Sequence, residues 1–368
     1  MMNVIKEKRG IIFCCLFTYL AASSFISQRI YEATIPYASA VIFLMLGIMA
    51  LPDLLPSLKM KDPDLILGIL VMAVTPICMF LSSSGYGAFF IPADMALICY
   101  MAGRIKLSPG MIIYISAAGA SPVILWYSHV RWSYNFNMAG FAFMIMCFFT
   151  IILLYRLDIP HRGFISVFAY ATAFILSTLY HSRTAMAGMA AFGIFYLLLG
   201  LMGKKRGFHT AVSLILTAGS VAFTGLYILM SYCLRNARVL NKDIFSGREE
   251  IWQEIWEAFL KVPLYGVGSS FRLKSLGIFE VHNGMFDILA VHGIVVFLLI
   301  SALIIRLFSS LGKRICEREM TVASRAALSA AWAMMFSSFF ENFFVVPPYS
   351  IIFMAFILIA DAGGWEKA

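Results

Sequence analysis

Apolar runs about as long as the hydrocarbon core of a bilayer recur from one end of the 368-residue chain to the other. A helix needs roughly 20 apolar residues to cross that core, and lipid offers no partner for an open backbone, so such runs can fold only as helices. Charged residues make up 13% of the chain and hydrophobic residues 61%. Soluble domains carry nearer 25% charged residues, so a soluble globular class is excluded. The expected fold is an all-α polytopic membrane protein.

Twelve spans are expected, at about 11–28, 36–55, 64–82, 86–102, 110–127, 138–155, 163–181, 183–202, 208–231, 287–308, 322–340 and 346–362. Lys6, Lys8 and Arg9 precede the first, and no small-residue cleavage site follows it, so it reads as an anchor and not as a signal peptide. The net charge of +9 could point to nucleic acid. Its distribution points elsewhere. Lys59 and Lys61, Arg104 and Lys106, Arg156 and Arg162, Lys204 to Arg206, and Lys313, Arg314 and Arg318 all fall in alternate loops, with the N-terminal group. The intervening short loops hold almost none beyond Arg29 and Arg131. By the positive-inside rule both termini are cytoplasmic, and no nucleic-acid partner is expected. The seven cysteines form no C-x-x-C pair and read as packing residues. No internal repeat is evident, so residues 1–368 are taken as one membrane domain.

The loop at 232–286 breaks the charge rule. It lies on the outer side, yet it holds Arg235, Arg238, Lys242, Arg248, Lys261, Arg272 and Lys274, and it closes on His282-Asn283. Long loops escape the rule more easily, and an anionic lipid head group or a diphosphate would also account for the cations. Ser246-Gly247-Arg248-Glu249 has the form of a capping box. The helix that follows should end at Pro263, with Ile251, Trp252, Ile255, Trp256, Phe259 and Leu260 on one side and glutamates on the other. It reads as amphipathic, lying at the membrane surface with its tryptophans at head-group depth. Arg248 fits either an anion ligand at the helix start or a structural salt bridge. The turn Leu264-Tyr265-Gly266-Val267-Gly268 has neither the Lys-Ser/Thr nor the strand context of a nucleotide-binding loop. His282 is either an interfacial residue or a general base, since imidazole exchanges a proton near neutral pH.

Other polar residues gather on the same side. Arg183 stands at the outer edge of the eighth span and either snorkels or clamps an anion. Asn135-Phe136-Asn137 opens the sixth span, and Glu341-Asn342 opens the last short outer loop. Asp94 lies within the fourth span, with Arg104 as a candidate partner.

In this order the motifs resemble the bacterial O-antigen ligase and O-antigen polymerase family of membrane glycosyltransferases. Ser182-Arg183-Thr184-Ala185 is similar to its S-R-x-A. Ser246-Gly247-Arg248 with Trp252 is similar to its S-G-R-x-x-x-W. Val262-Pro263-Leu264-Tyr265-Gly266-Val267-Gly268 is similar to its N-P-L-x-G-x-G, with Val262 in place of asparagine. His282-Asn283 with Gly293-Ile294 is similar to its H-N-x-x-L…G-I, and Asn135-Phe136-Asn137 to its N-P-N, with Phe136 in place of proline. The resemblance covers about 180–295.

It implies transfer of a glycan from an undecaprenyl diphosphate donor to a sugar hydroxyl, at the outer face of the cytoplasmic (inner) membrane. The acceptor would be a lipid A core sugar or a second lipid-linked repeat unit. Arg183 and Arg248 would hold the diphosphate and His282 would activate the acceptor. Arg235, Arg238, Ser246, Trp252, Asn283, Asn137 and Glu341 are candidate substrate contacts. The chain is read as having no D-x-D triplet and no carboxylate cluster suited to Mg²⁺, so no metal or cofactor is expected. A chain-length regulator and a flippase of the same pathway are expected neighbours. The competing class is a lipid-linked glycan flippase or another transporter, which calls for a polar path through the bilayer and repeated halves.

Overall fold

The structure is a computed structural model that describes residues 2–25, 27–121, 136–234, 238–239, 242–243, 247–274, 281–318 and 320–362. The helices are α1 (Met2–Phe25), α2 (Gln28–Lys59), α3 (Pro63–Leu81), α4 (Phe90–Ala102), α5 (Pro109–Ala120), α6 (Phe136–Arg156) and α7 (Arg162–Leu179). They continue with α8 (Arg183–Met202), α9 (Arg206–Cys233), α10 (Arg248–Phe259), α11 (Gly284–Cys316), α12 (Val322–Ser337) and α13 (Pro347–Ala362). The β structure among the described residues is a two-residue antiparallel pairing, Arg238–Val239 with Lys242–Asp243.

A helix stands at each of the twelve expected positions, and α10 is the loop helix. Length separates them into two groups. Among the described residues, seven helices are long and apolar enough to cross a membrane alone: those at Glu32–Lys59, Pro63–Leu81, Ala139–Arg156, Arg162–Leu179, Arg183–Met202, Gly207–Cys233 and Gly284–Cys316. The helices at Tyr86–Ala102, Pro109–Ala120 and Pro347–Ala362 are apolar but shorter. At 1.5 Å per residue, α4 rises only about 20 Å against a core of about 30 Å. α12 is alanine-rich and almost wholly enclosed by other helices.

Side-chain oxygens begin several of these helices. Ser27, Asp62, Ser108 and Thr321 accept a backbone N–H in the first turn of α2, α3, α5 and α12, and Pro63 and Pro109 occupy first helical positions. Neighbouring helices meet through small residues. A Cβ on Gly140 of α6 would overlap Ser182, and one on Gly188 of α8 would overlap Ser337 of α12.

Charge separates the two ends of the bundle. At one end Arg9 pairs with Asp53 (2.7 Å), Arg306 with Asp64 (2.6 Å) and Arg314 with Asp361 (2.7 Å), and Arg104 pairs with Asp62. Arg9, Arg104 and Arg314 are three of the residues that the alternate loops were expected to place together. Arg104 also lies over the Tyr100 ring at 3.7 Å, so the expected Asp94–Arg104 pair does not form and Asp94 is buried within α4. Asp62-Pro63-Asp64 corrects the reading that the chain has no D-x-D triplet, and both its carboxylates are held by arginines at this end. The opposite end gathers the first residues of α6, α8 and α11, the last residues of α3 and α12, and the loop helix.

Candidate functional site

The site grows from the loop between α9 and α11. Ile251, Trp252, Ile255 and Phe259 form the buried face of α10. They pack with Tyr227 of α9 and with Phe286, Leu289 and Ala290 of α11. These four were predicted on this face, but Leu260, predicted with them, is 68% exposed, and the partner of the face is protein and not lipid. Trp252 is 0% exposed, with its ring edge-on to Tyr227 at a centroid distance of 4.9 Å. The capping box is also corrected. Arg248 is the first helical residue, and Gly247 is the N-cap with φ of 82°, a conformation that favours glycine. Ser246 precedes the cap and lies outside the described residues.

The turn after α10 explains the glycine motif. α11 is kinked at Gly293, whose φ of 83° and ψ of 171° are not helical. The kink frees the carbonyls of Ala290 and Val291, which accept the N–H of Val267 (2.7 Å) and of Gly268 (3.2 Å). Ile294 N–H returns a bond to Pro263 O at 2.9 Å. The backbones lie so close that a Cβ on Gly266 would overlap the Val291 and Ala290 carbonyls, and one on Gly293 would overlap Leu264. The turn is clasped on its other side by the loop after α3. Ser269 N–H donates to Ser84 Oγ (3.0 Å), and Ser270 Oγ donates to Ser83 O (2.9 Å).

Beyond this turn the chain reaches Val281, His282 and Asn283. The Trp252 indole N–H donates to Val281 O. Asn283 uses all of its hydrogen-bonding capacity. Its Oδ1 accepts Ser220 Oγ–H (2.8 Å) and Phe286 N–H (2.9 Å), and its Nδ2 donates to Ser220 O (2.9 Å) and Phe339 O (3.2 Å). His282 stands between these two pinned neighbours with φ of 52°, left-handed for a residue with a Cβ. That conformation costs about 1–2 kcal/mol, and such strain is held where the surroundings over-determine it, often at functional sites.

The His282 side chain meets two other charged groups. Glu341 Oε2 lies 3.0 Å from His282 Nδ1, and Glu341 Oε1 is bonded to Arg248 Nη2. The side chains are 27% (His282), 12% (Glu341) and 15% (Arg248) exposed, so the ion pair is shielded while the ring keeps an open edge. With Nδ1–H donating to the carboxylate, Nε2 is the basic nitrogen. Thus one carboxylate joins a guanidinium to an imidazole across three separate segments of the chain.

The structure therefore brings together His282, Arg248 and Glu341. Arg183 is the half-buried first residue of α8 at the same end of the bundle. Trp252 and Asn283 were expected as substrate contacts. Both are fully buried with their polar groups bonded inside the protein, so they position the backbone around His282. Arg235 lies outside the described residues, Arg238 is placed as a strand residue, and Asn137 is placed in the first turn of α6. Sequence reading did not single out Ser220 or the serine clasp, because no local pattern tells which neighbour a hydroxyl meets. The motif match did include Gly293, but its role needed the kink to be seen.

The O-antigen ligase family model matches residues 165–301. This stretch of the chain is similar to the O-antigen ligase family. It runs from the start of α7 into α11, takes in Arg183, Arg248 and His282, and stops before Glu341. No curated protein and no solved structure matches the chain. The O-antigen ligase domain and the apolar helices make this an integral membrane protein with a glycosyltransferase-like role in polysaccharide assembly. The O-antigen ligase family implies a lipid-linked glycan and a polysaccharide acceptor as partners.

Proposed function

We propose that the protein transfers a glycan from an undecaprenyl diphosphate donor to a sugar hydroxyl at the outer face of the cytoplasmic membrane. The observation that carries this reading is the Arg248–Glu341–His282 group at the end opposite the basic one. If the basic end faces the cytoplasm, this group faces outward.

The chemistry follows from the residues. Attack by the acceptor oxygen forms the new bond to the anomeric carbon. The bond from that carbon to the diphosphate oxygen breaks, and its electron pair leaves with the undecaprenyl diphosphate. The hydroxyl proton passes to His282 Nε2. Direct displacement inverts the anomeric configuration. Arg248, and Arg183 at the same end, supply fixed cations for the charge that develops on the diphosphate, a task that guanidinium groups perform by paired hydrogen bonds. A lateral apolar cleft of about 380 Å³ opens beside α10, lined by Ala222, Gly225, Trp256, Leu289, Ile294 and Phe297. It has the character to take part of an isoprenoid tail.

Transport is the weaker reading. A buried stripe of hydroxyls runs along α9, but Ser213, Thr217 and Thr224 donate to carbonyls of their own helix, so the stripe serves helix packing.

The test uses purified protein with its lipid-linked repeat unit in EDTA, comparing wild type with Arg248→Ala and His282→Ala. Wild type is expected to transfer glycan, and each variant to lose on the order of 100-fold or more in rate. Ladders formed without any other acceptor identify a polymerase. Wild-type rates in both variants would remove these residues from the chemistry.

A further inference from the structure

Glu341 faces two groups that serve different substrates, the diphosphate ligand Arg248 and the acceptor base His282. It is rigidly presented: its backbone is extended, it precedes the turn Asn342–Phe344, and Phe343 and Phe344 beside it are buried. Two residues earlier, Phe339 O is fixed by the Asn283 amide. The carboxylate can therefore shift its charge between two partners without the chain moving.

We infer that Glu341 is a positioning residue that couples the two substrates, so that the acceptor base is completed only once the donor is bound. This rests on the reading of Arg248 as a diphosphate ligand. Without donor, Glu341 neutralises Arg248, and a carboxylate already committed to a guanidinium is a weak partner for an imidazolium. An arriving diphosphate brings more negative charge to Arg248 and repels Glu341 from it. The carboxylate then serves His282 alone. It holds Nδ1–H, fixes Nε2 toward the acceptor, and stabilises the imidazolium formed as the acceptor proton moves to Nε2. The order follows: donor first, then acceptor activation. A base that is weak until the donor is seated also limits side reaction with water.

Glu341→Gln should have two effects of opposite sign. Arg248 loses its competing internal anion, so undecaprenyl diphosphate should bind about threefold tighter or more. His282 loses its charge partner, so kcat should fall on the order of 100-fold. Glu341→Asp keeps the charge and should recover part of kcat. A purely structural role would weaken binding and turnover together.

The experiment is undecaprenyl diphosphate binding to the full chain in detergent, with steady-state transfer on the same preparations of wild type, Glu341→Gln and Glu341→Asp. A second measurement avoids the variants: nitrogen-15 histidine NMR of wild type, with His282 assigned through His282→Gln. Adding undecaprenyl diphosphate should move the Nδ1–H proton of His282 downfield as its bond to Glu341 strengthens. Weaker or unchanged binding by Glu341→Gln, undiminished kcat, or an unmoved His282 signal in wild type saturated with undecaprenyl diphosphate would each overturn the coupling. Wild type that neither binds undecaprenyl diphosphate nor transfers glycan would overturn the function reading instead.

Discussion

Replacing Gly293 with alanine should detach the turn at 263–268 from α11 while leaving the helical core folded. Gly293 has φ of 83° and ψ of 171°, a region essentially reserved for glycine. An added Cβ would also overlap Leu264 and approach Tyr265 Cα at 2.7 Å. Backbone strain of about 1–3 kcal/mol and overpacking of a similar size are both expected. The partners can relax by separating, and the separation gives up three bonds: Val267 N–H to Ala290 O, Gly268 N–H to Val291 O, and Ile294 N–H to Pro263 O. A local destabilisation of about 2–4 kcal/mol is the result. At about 1.4 kcal/mol per factor of ten, the amide hydrogens of Val267 and Gly268 should exchange roughly 30- to 1,000-fold faster. Hydrogen exchange with mass spectrometry in detergent reads this on peptides spanning 263–271, with peptides from α12 as the internal standard. Turnover should fall as well, because the turn joins α10 to the segment that carries His282. Unchanged exchange at Val267 and Gly268 would refute the claim that the kink and the turn are one structural unit.

Two more substitutions probe how His282 is held. Asn283→Ala removes the N-cap of α11, worth about 1 kcal/mol, and strands the carbonyls of Ser220 and Phe339. A lower thermal midpoint and lost transfer are expected, and a midpoint equal to wild type would contradict the four-bond account. Trp252→Phe keeps the ring against Tyr227 but deletes the donor to Val281 O, at a cost of about 1–3 kcal/mol. Here kcat should drop while undecaprenyl diphosphate binding is retained, and unchanged kcat would mean that the indole does not set the His282 backbone.

Much of the fold was legible because bilayer-length apolar runs and charge placement act locally. Each run reports its own helix, and each basic cluster reports which end it occupies. The amphipathic face of α10 was readable for the same reason, from Ile251, Trp252, Ile255 and Phe259 at helical spacing. What covers that face was not. An apolar surface looks the same in sequence whether lipid or Phe286 and Tyr227 will meet it. The number of helices that span alone was likewise hidden, since α12 needs neighbours and not length to be buried.

The sequence by itself determined a helical membrane protein with charge-sorted ends, and it marked Arg183, Arg248 and His282 as the residues to watch. Tertiary structure decided what they do together. Arg248 and His282 are 34 positions apart, and Glu341 lies 59 positions beyond His282, too far for any spacing rule to link them. Their meeting depends on α10 docking against α9 and α11, on Asn283 bonding to α9, and on the short segment after α12 folding back over the site. Those contacts are long-range, and burial and hydrogen bonding, which no local pattern records, select among the partners that a polar residue could have had.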